Sequence, residues 1–258
     1  MRILVVADLH YSLPQYDWLL AEAPRYDLVI IAGDHIDLSS AVDGRAQILV
    51  ISKYLDMLRE KTRIITCSGN HDLDGRDAHG EKTAKWLEDL NATGIPADDS
   101  TLEIDDILFS VCRWWDGPLA QARLAEQLAR DKAAVRGKWF WVHHAPSFDS
   151  PTSWSGSRSL GDKTVQEWIN TYQPDMVFSG HIHQSPFTRA GSWVDRIGKT
   201  WVFNVGQYAG APPAHIAINT DVNEAVWLSM AGIQTVKLDG EIKHPVHAQQ
   251  RPPEWMML

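Results

Sequence analysis

An α/β fold is what this sequence predicts, and three observations predict it. Nearly continuous Val-, Ile- and Leu-rich runs at 3–7, 28–32 and 64–67 have the composition of strands buried on both faces. Helical patterns follow them: residues 46–58 carry Ile48, Ile51, Leu55 and Leu58 at helical spacing, and 82–90 give a shorter helix. The resulting β-α-β-α order implies a parallel sheet with right-handed crossovers.

Further along, 102–104 and 107–111 read as two strands around a turn at Asp105 and Asp106. A helix is expected over 119–135, introduced by Pro118 and rich in Ala, Leu, Gln and Arg. Strands return at 139–142 and 176–178, each running towards histidines. From Ser192 the pattern is β throughout, at 193–197, 200–205, 215–218, 225–230 and 233–238. Residues 1–240 are expected to form a single domain. Two segments keep two readings each. The Ser-, Pro- and Gly-rich stretch 147–161 is either a mobile loop at a functional site or an ordinary surface connection. The tail 241–258, proline-containing with an apolar end, either docks or is disordered.

Composition narrows the function. At 44% apolar and 22% charged, the 258 residues can build a sizeable core. A net charge of −9 argues against a broad basic surface for long nucleic acid, but not against a small phosphorylated ligand held by bound cations. Cys67 and Cys112 are the only cysteines, which suits a reducing compartment. The apolar start is too short for a signal-peptide core, and no apolar run approaches the roughly 18 residues of a membrane helix. A soluble, cytoplasmic protein without membrane partners is expected; the sequence leaves its oligomeric state open.

Chemistry gathers where apolar runs end: Asp8-Leu9-His10, Gly33-Asp34, Gly69-Asn70-His71-Asp72, His143-His144 and Gly180-His181-Ile182-His183. Residues two apart in extended chain point the same way, so Asp8 with His10, and His181 with His183, can converge beyond a strand end. Open parallel sheets place ligands at such ends. Carboxylate, amide oxygen and imidazole without thiolate suit Mn²⁺, Fe²⁺/Fe³⁺ or Zn²⁺, and Asp34 has two oxygens with which to bridge two cations. Such a pair is equipment for hydrolysing a phosphate ester.

As an ordered set over roughly residues 1–206, these groups resemble the calcineurin-like metallophosphoesterases, whose pattern runs D-x-H, G-D, G-N-H-D/E, H and G-H-x-H. The resemblance implies a two-sheet β-sandwich core flanked by α-helices, with a dinuclear site at one edge. It implies that Asp8, His10, Asp34 and His183 hold one metal and that Asp34, Asn70, His143 and His181 hold the other. His71 would be a catalytic histidine that binds no metal, acting on the phosphoryl oxygen or leaving group of a substrate attacked in line by the hydroxide bridging the metals. Asp72 would orient a ligand histidine, and Asp37 could do the same or be a surface acid. Where family members have His-His-Pro-Pro or His-x-Pro, this chain has His143-His144-Ala145-Pro146; His143 is the favoured ligand and His144 a candidate for contacting substrate.

Arg113 is either a phosphate clamp or a structural ion pair. Trp114, Trp115 and Trp154 lie near the expected site loops, while most of the 12 tryptophans sit in strand patterns as core residues. Gly198-Lys199-Thr200 echoes a phosphate-binding loop but has the wrong spacing and flanking strands, so a hairpin turn is expected. The expected activity is hydrolysis of phosphate esters, diesters slightly preferred, including nucleotides or cyclic nucleotides. A phosphomonoesterase is the alternative, and a catalytically silent protein-binding scaffold a more distant one.

Overall fold

The computed structural model describes residues 1–256. In chain order, β1 (Arg2–Val6), α1 (Leu13–Glu22), β2 (Leu28–Ala32), α2 (Gly44–Arg59) and β3 (Arg63–Cys67) make two parallel crossovers. A small hairpin, β4 (Gly75–Arg76) with β5 (Lys82–Thr83), precedes the short helix α3 (Lys85–Leu90). The hairpin of β6 (Thr101–Ile104) and β7 (Ile107–Val111) leads through α4 (Pro118–Ala134) to β8 (Lys138–Val142). Next come α5 (Lys163–Tyr172), β9 (Met176–Ser179), and the hairpin of β10 (Val194–Ile197) and β11 (Thr200–Asn204). A meander of β12 (His215–Asn219), β13 (Glu224–Ser229) and β14 (Gly232–Lys237) ends in the short β15 (Ala248–Gln249).

These strands form two mixed sheets, ordered β15-β14-β13-β12-β1-β2-β3 and β10-β11-β9-β8-β7-β6. The expectation from periodicity alone, that every ligand-bearing strand lies in one parallel sheet, is therefore corrected: β8 and β9 belong to the second sheet. The two-sheet sandwich flanked by helices is observed. Alternation along each strand explains the layering, because Ile3 and Val5 face the other sheet while Leu4 and Val6 face helices. Phe109, Phe140, Phe178 and Phe203 fill the space between the sheets, with Trp193 and Trp227. Leu19, Ile51, Leu55 and Leu58 cover the first sheet from α1 and α2; Leu124, Leu128, Val165 and Ile169 cover the second from α4 and α5. Burying each such leucine or isoleucine contributes about 2 kcal/mol.

Helix α2 runs where its pattern predicts, buried at Gln47, Ile51, Leu55 and Leu58, with the Asp43 carboxylate accepting the Arg45 amide at its start. The helix expected over 82–90 begins only at Lys85, because Lys82 and Thr83 pair with β4. Two helices escaped the sequence pattern. α1 opens with a proline in its first turn and buries only Gln15, Tyr16 and Leu19; α5 buries Val165 and Ile169 and packs Trp168 and Tyr172 beside them, a helical stripe not read from the sequence. Ile197 opposite Thr200 closes a hairpin at Gly198-Lys199, as its flanking strands required. In the tail, Trp255 Nε1 donates to Glu224 Oε2 at 2.6 Å and β15 pairs with β14; Met257 and Leu258 lie outside the described residues.

Candidate metal centre

The loops that leave β1 and β2 are zipped together by their backbones. Asp8 N donates to Gly33 O (3.1 Å), His10 N to Asp34 O (3.0 Å) and Tyr11 N to His35 O (2.8 Å). Asp8, His10 and Asp34 adopt left-handed backbone with φ of 54°, 41° and 55°, and so does His181 across the rim at 68°. Non-glycine residues rarely hold this conformation, and its concentration at four candidate ligands marks strain stored for a task. Two motif glycines have a steric reason. A Cβ on Gly69 would collide with the Asp34 carboxylate, and one on Gly180 with the Asp8 carboxylate.

The second sheet meets this cradle directly. His181 N lies 3.1 Å from each Asp8 carboxylate oxygen, and His144 Nδ1 donates to Ala32 O at 2.7 Å. Side chains from both sheets thereby converge. His183 Nε2 is 3.1 Å from Asp8 Oδ1 and 3.3 Å from His10 Nε2, which is itself 3.7 Å from Asp34 Oδ2. His144 Nε2 is 3.2 Å from Asp34 Oδ2 without hydrogen-bond alignment. Two groups of donor atoms result, each mutually within 4.8 Å: Asp8, His10, Asp34 and His183; and Asp34, His144 and His181. Asp34 belongs to both. Asn70 Oδ1, His71 Nδ1, His143 Nε2 and His144 Nε2 are buried without a hydrogen-bond partner, which is costly unless a cation takes a lone pair, and of these histidines His144 is the one in a donor group. The residues present therefore fit a pair of metal ions.

Four residues singled out from the sequence are placed as follows. The histidine at the cluster is His144, not the favoured His143. The Ala32 carbonyl draws His144 across the sheet seam, whereas His143 stacks flat on Trp115 with ring centroids 4.9 Å apart and places Nδ1 3.3 Å from Cys112 O. Asp72 orients no histidine. Its buried carboxylate accepts the amides of Asp34, His35, Ile36 and Gly69, at 2.8–3.2 Å, and so shapes the bridging loop itself. Asp37 caps a local turn, its carboxylate accepting the Ser39 amide. Arg113 is a buried structural ion pair with Asp99 and Glu88 rather than a phosphate clamp. Trp114 does border the cluster, its ring 5.1 Å from that of His181 and 5.7 Å from that of His144. His71 donates its amide to Asp34 Oδ1 at 2.9 Å and holds Nε2 4.0 Å from Asp34 Oδ2.

Electrostatics follow from this crowding. Burial works against the charged form of His144, yet in the metal-free protein Asp34 and Asp8 overcome it and hold the imidazole up at about 9, so that a cation binding at Nε2 would displace a proton. Burial likewise opposes ionised Asp34, but the His144 charge and the His71 amide keep its carboxyl well below the usual range. Burial and the Asp34 charge push Asp72 upward, to about 8, against its amide donors. His181, buried beside His144, is pushed down to about 4. Paired low and high values in one crevice are a signature of functional sites.

Sequence reasoning missed three contributors. Gln207 Nε2 donates to Asp8 O at 3.2 Å, steadying the first ligand from 199 residues away, a distance no local pattern carries. Ser68 Oγ accepts the Trp114 amide, fixing that ring beside the histidines. The His35 side chain lies fully buried directly beneath the bridging loop. The segment 147–161 is tied to the site's surroundings, with Asn204 Nδ2 donating to Thr152 O and Ile182 O. Among the described residues no helix is long and apolar enough to cross a membrane.

The sequence model of the calcineurin-like phosphoesterases matches residues 1–185. Among solved structures, the fold is similar to TT1561 of Thermus thermophilus, with TM-score 0.58 and 14% identity over 92% of this chain and 98% of that one. It is also similar to the purple acid phosphatase PPD1 of yellow lupin, with TM-score 0.54 and 13% identity over 96% of this chain. This chain spans 52% of the lupin protein. No curated protein matches the chain in sequence.

Proposed function

Because the chain belongs to the calcineurin-like phosphoesterase family, we propose that it hydrolyses phosphate esters with two metal ions at this rim, and that diesters are its preferred substrates. The observation that carries the reading is the double membership of Asp34, between one donor group of Asp8, His10 and His183 and another of His144 and His181. Asn70, with its unpartnered Oδ1, completes the second group. Mn²⁺, Fe²⁺/Fe³⁺ or Zn²⁺ suit these oxygen and imidazole donors. When bound, such a pair polarises a phosphoryl oxygen and lowers the pKa of water.

The chain's own residues supply the rest. Asp34 fixes the two donor groups relative to each other, and Asp72 holds the Asp34 backbone in place through its amides. His71, partly exposed beside Asp34, donates a hydrogen bond or proton to the oxygen that leaves. Trp114 offers an apolar wall beside His181 on which an organic substituent can rest. The diester preference rests on charge. Arg113 is committed to Asp99 and Glu88, so a bound phosphate meets the metals and His71 without that further cation. A singly charged diester matches such a site better than a doubly charged monoester. The substrate is a small phosphorylated molecule, and a cytoplasmic setting suits the free cysteines Cys67 and Cys112.

The test compares bis(p-nitrophenyl) phosphate with p-nitrophenyl phosphate in Mn²⁺, alongside elemental analysis of the same sample. A higher kcat/KM for the diester, with two metals per chain, is expected. Preference for the monoester would overturn the substrate assignment; two bound metals with neither ester cleaved would overturn hydrolysis. His71→Ala is expected to lower turnover about 10²–10⁴-fold with metal content unchanged, as loss of a proton donor requires.

A further inference from the structure

Beneath the candidate centre runs a chain of fully buried polar side chains that none of the chemistry above uses. Tyr16 of α1, His35 of the bridging loop and Thr66 of β3 are each completely inaccessible to solvent. Tyr16 Oη lies 2.9 Å from His35 Nδ1, and His35 Nε2 lies 2.6 Å from Thr66 Oγ1. One assignment of the protons satisfies all three groups, whereas the reverse would leave the buried Tyr16 hydroxyl hydrogen without an acceptor. Thr66 Oγ1 has one hydrogen and gives it to Ile31 O at 3.2 Å, so it accepts from His35 Nε2–H. His35 Nδ1 then carries a lone pair and accepts from Tyr16 Oη–H. Both ring nitrogens are satisfied in one tautomer, and the Trp86 ring packs edge-on against the imidazole at 5.4 Å.

His35 is also joined by its backbone to both ligand loops. It directly follows Asp34, its amide donates to Asp72 Oδ1 at 2.9 Å, and its carbonyl accepts the amide of Tyr11, the neighbour of His10. A side chain locked at both ends thus sits at the junction of the Asp34 and His10 backbones. We propose that Tyr16, His35 and Thr66 form a buried peg that positions Asp34 against His10 and thereby sets the affinity of the rim for its metal pair. This rests on the dinuclear reading above, and the three residues are positioning residues, since none reaches the rim. Groups that orient a ligand from behind typically alter metal affinity by about 10–100-fold. An imidazole left with one unpaired nitrogen in this interior would shift to find another partner and carry the adjoining backbone with it.

The experiment titrates chelator-stripped protein with Mn²⁺ by calorimetry and records the electron paramagnetic resonance of the loaded sample, whose coupling between paired ions reports their relative placement. Tyr16→Phe and Thr66→Val, which keep volume and remove a hydroxyl, are expected to weaken Mn²⁺ binding at least about tenfold and to alter the coupled spectrum. Thr66→Ser, which keeps the hydroxyl, should behave as the wild type. Thr200→Val removes a comparable buried hydrogen bond, to Pro174 O in the second sheet, and should leave affinity unchanged. If one peg variant does not fold, the other carries the same test. Wild-type isotherms and spectra in the folded peg variants would overturn the peg while leaving the metal pair standing, as would equal weakening by Thr200→Val. Wild-type protein that binds no Mn²⁺ pair would overturn the dinuclear reading and the peg with it.

Discussion

Loops leaving the first sheet carry Asp8, His10, Asp34 and Asn70, whereas loops leaving the second carry His144, His181 and His183. The first set is organised by its own backbone, through three cross-loop hydrogen bonds and the four amides gathered by Asp72. The second set borrows its order. His144 is aimed by Ala32 O, and His181 N packs on the Asp8 carboxylate, both contributed by the first sheet. One sheet therefore builds a cradle and the other docks imidazoles onto it. A lesion in the cradle should damage the whole centre, and a lesion in the docked set should damage part of it.

Asp34→Asn tests the cradle and has the largest expected effect. Both donor groups lose their shared carboxylate, so metal content should fall well below two per chain and turnover by at least about a hundredfold. A variant that keeps two metals and full turnover would break the comparison at its root. His144→Ala tests the docked set. It should lose about one metal per chain, while His143→Ala keeps both and loses only stability, by about 1–3 kcal/mol, from the packing against Trp115. The reverse pattern in elemental analysis would restore His143 as the ligand.

Arg113→Met separates fold from site. Removing the guanidinium leaves Glu88 and Asp99 without their partner, but both carboxylates reach solvent, so the cost should be about 2 kcal/mol in urea unfolding. KM for the diester should not change; a tenfold rise would return Arg113 to the phosphate. The smallest effect concerns acid. His215, buried in β12 of the first sheet against Trp18, is pushed by burial down to about 4 from 6.5. The folded form resists protonation that the unfolded chain accepts, so its stabilisation is complete above pH 6.5 and lost as pH falls towards 4, by about 2–3 kcal/mol. In metal-stripped protein, His215→Gln should make the stability profile shallower by the share of one proton, the other buried histidines such as His181 keeping the rest of the slope; an unchanged slope would show that His215 does not contribute.

How far the sequence led depends on whether the physics was local. Strands such as Ile107–Val111 follow from apolar composition, and α2 follows from its stripe of Ile51, Leu55 and Leu58, so both were legible. Helix α5 was overlooked although its stripe is local: Val165, Trp168, Ile169 and Tyr172 stand at helical spacing behind the Asp162 cap, next to a Ser-, Pro- and Gly-rich stretch that reads as loop. The division of strands between two sheets was hidden in pairings such as β1 with β12, whose sequence separation leaves no local trace. At the centre, residue types and spacing brought Asp8, His10, Asp34, His181 and His183 into view. The choice between His143 and His144 depended on which side of β8 faces Ala32 O, a contact between sheets. Arg113 was undetermined for the same reason, since its partners Glu88 and Asp99 come from elsewhere in the fold.

Anomalous diffraction from crystals grown in Mn²⁺ tests the shared carboxylate most directly. Two adjacent peaks are predicted, one among Asp8, His10, Asp34 and His183 and one among Asp34, Asn70, His144 and His181, with Asp34 touching both. A single peak, or two peaks of which only one contacts Asp34, would contradict the account.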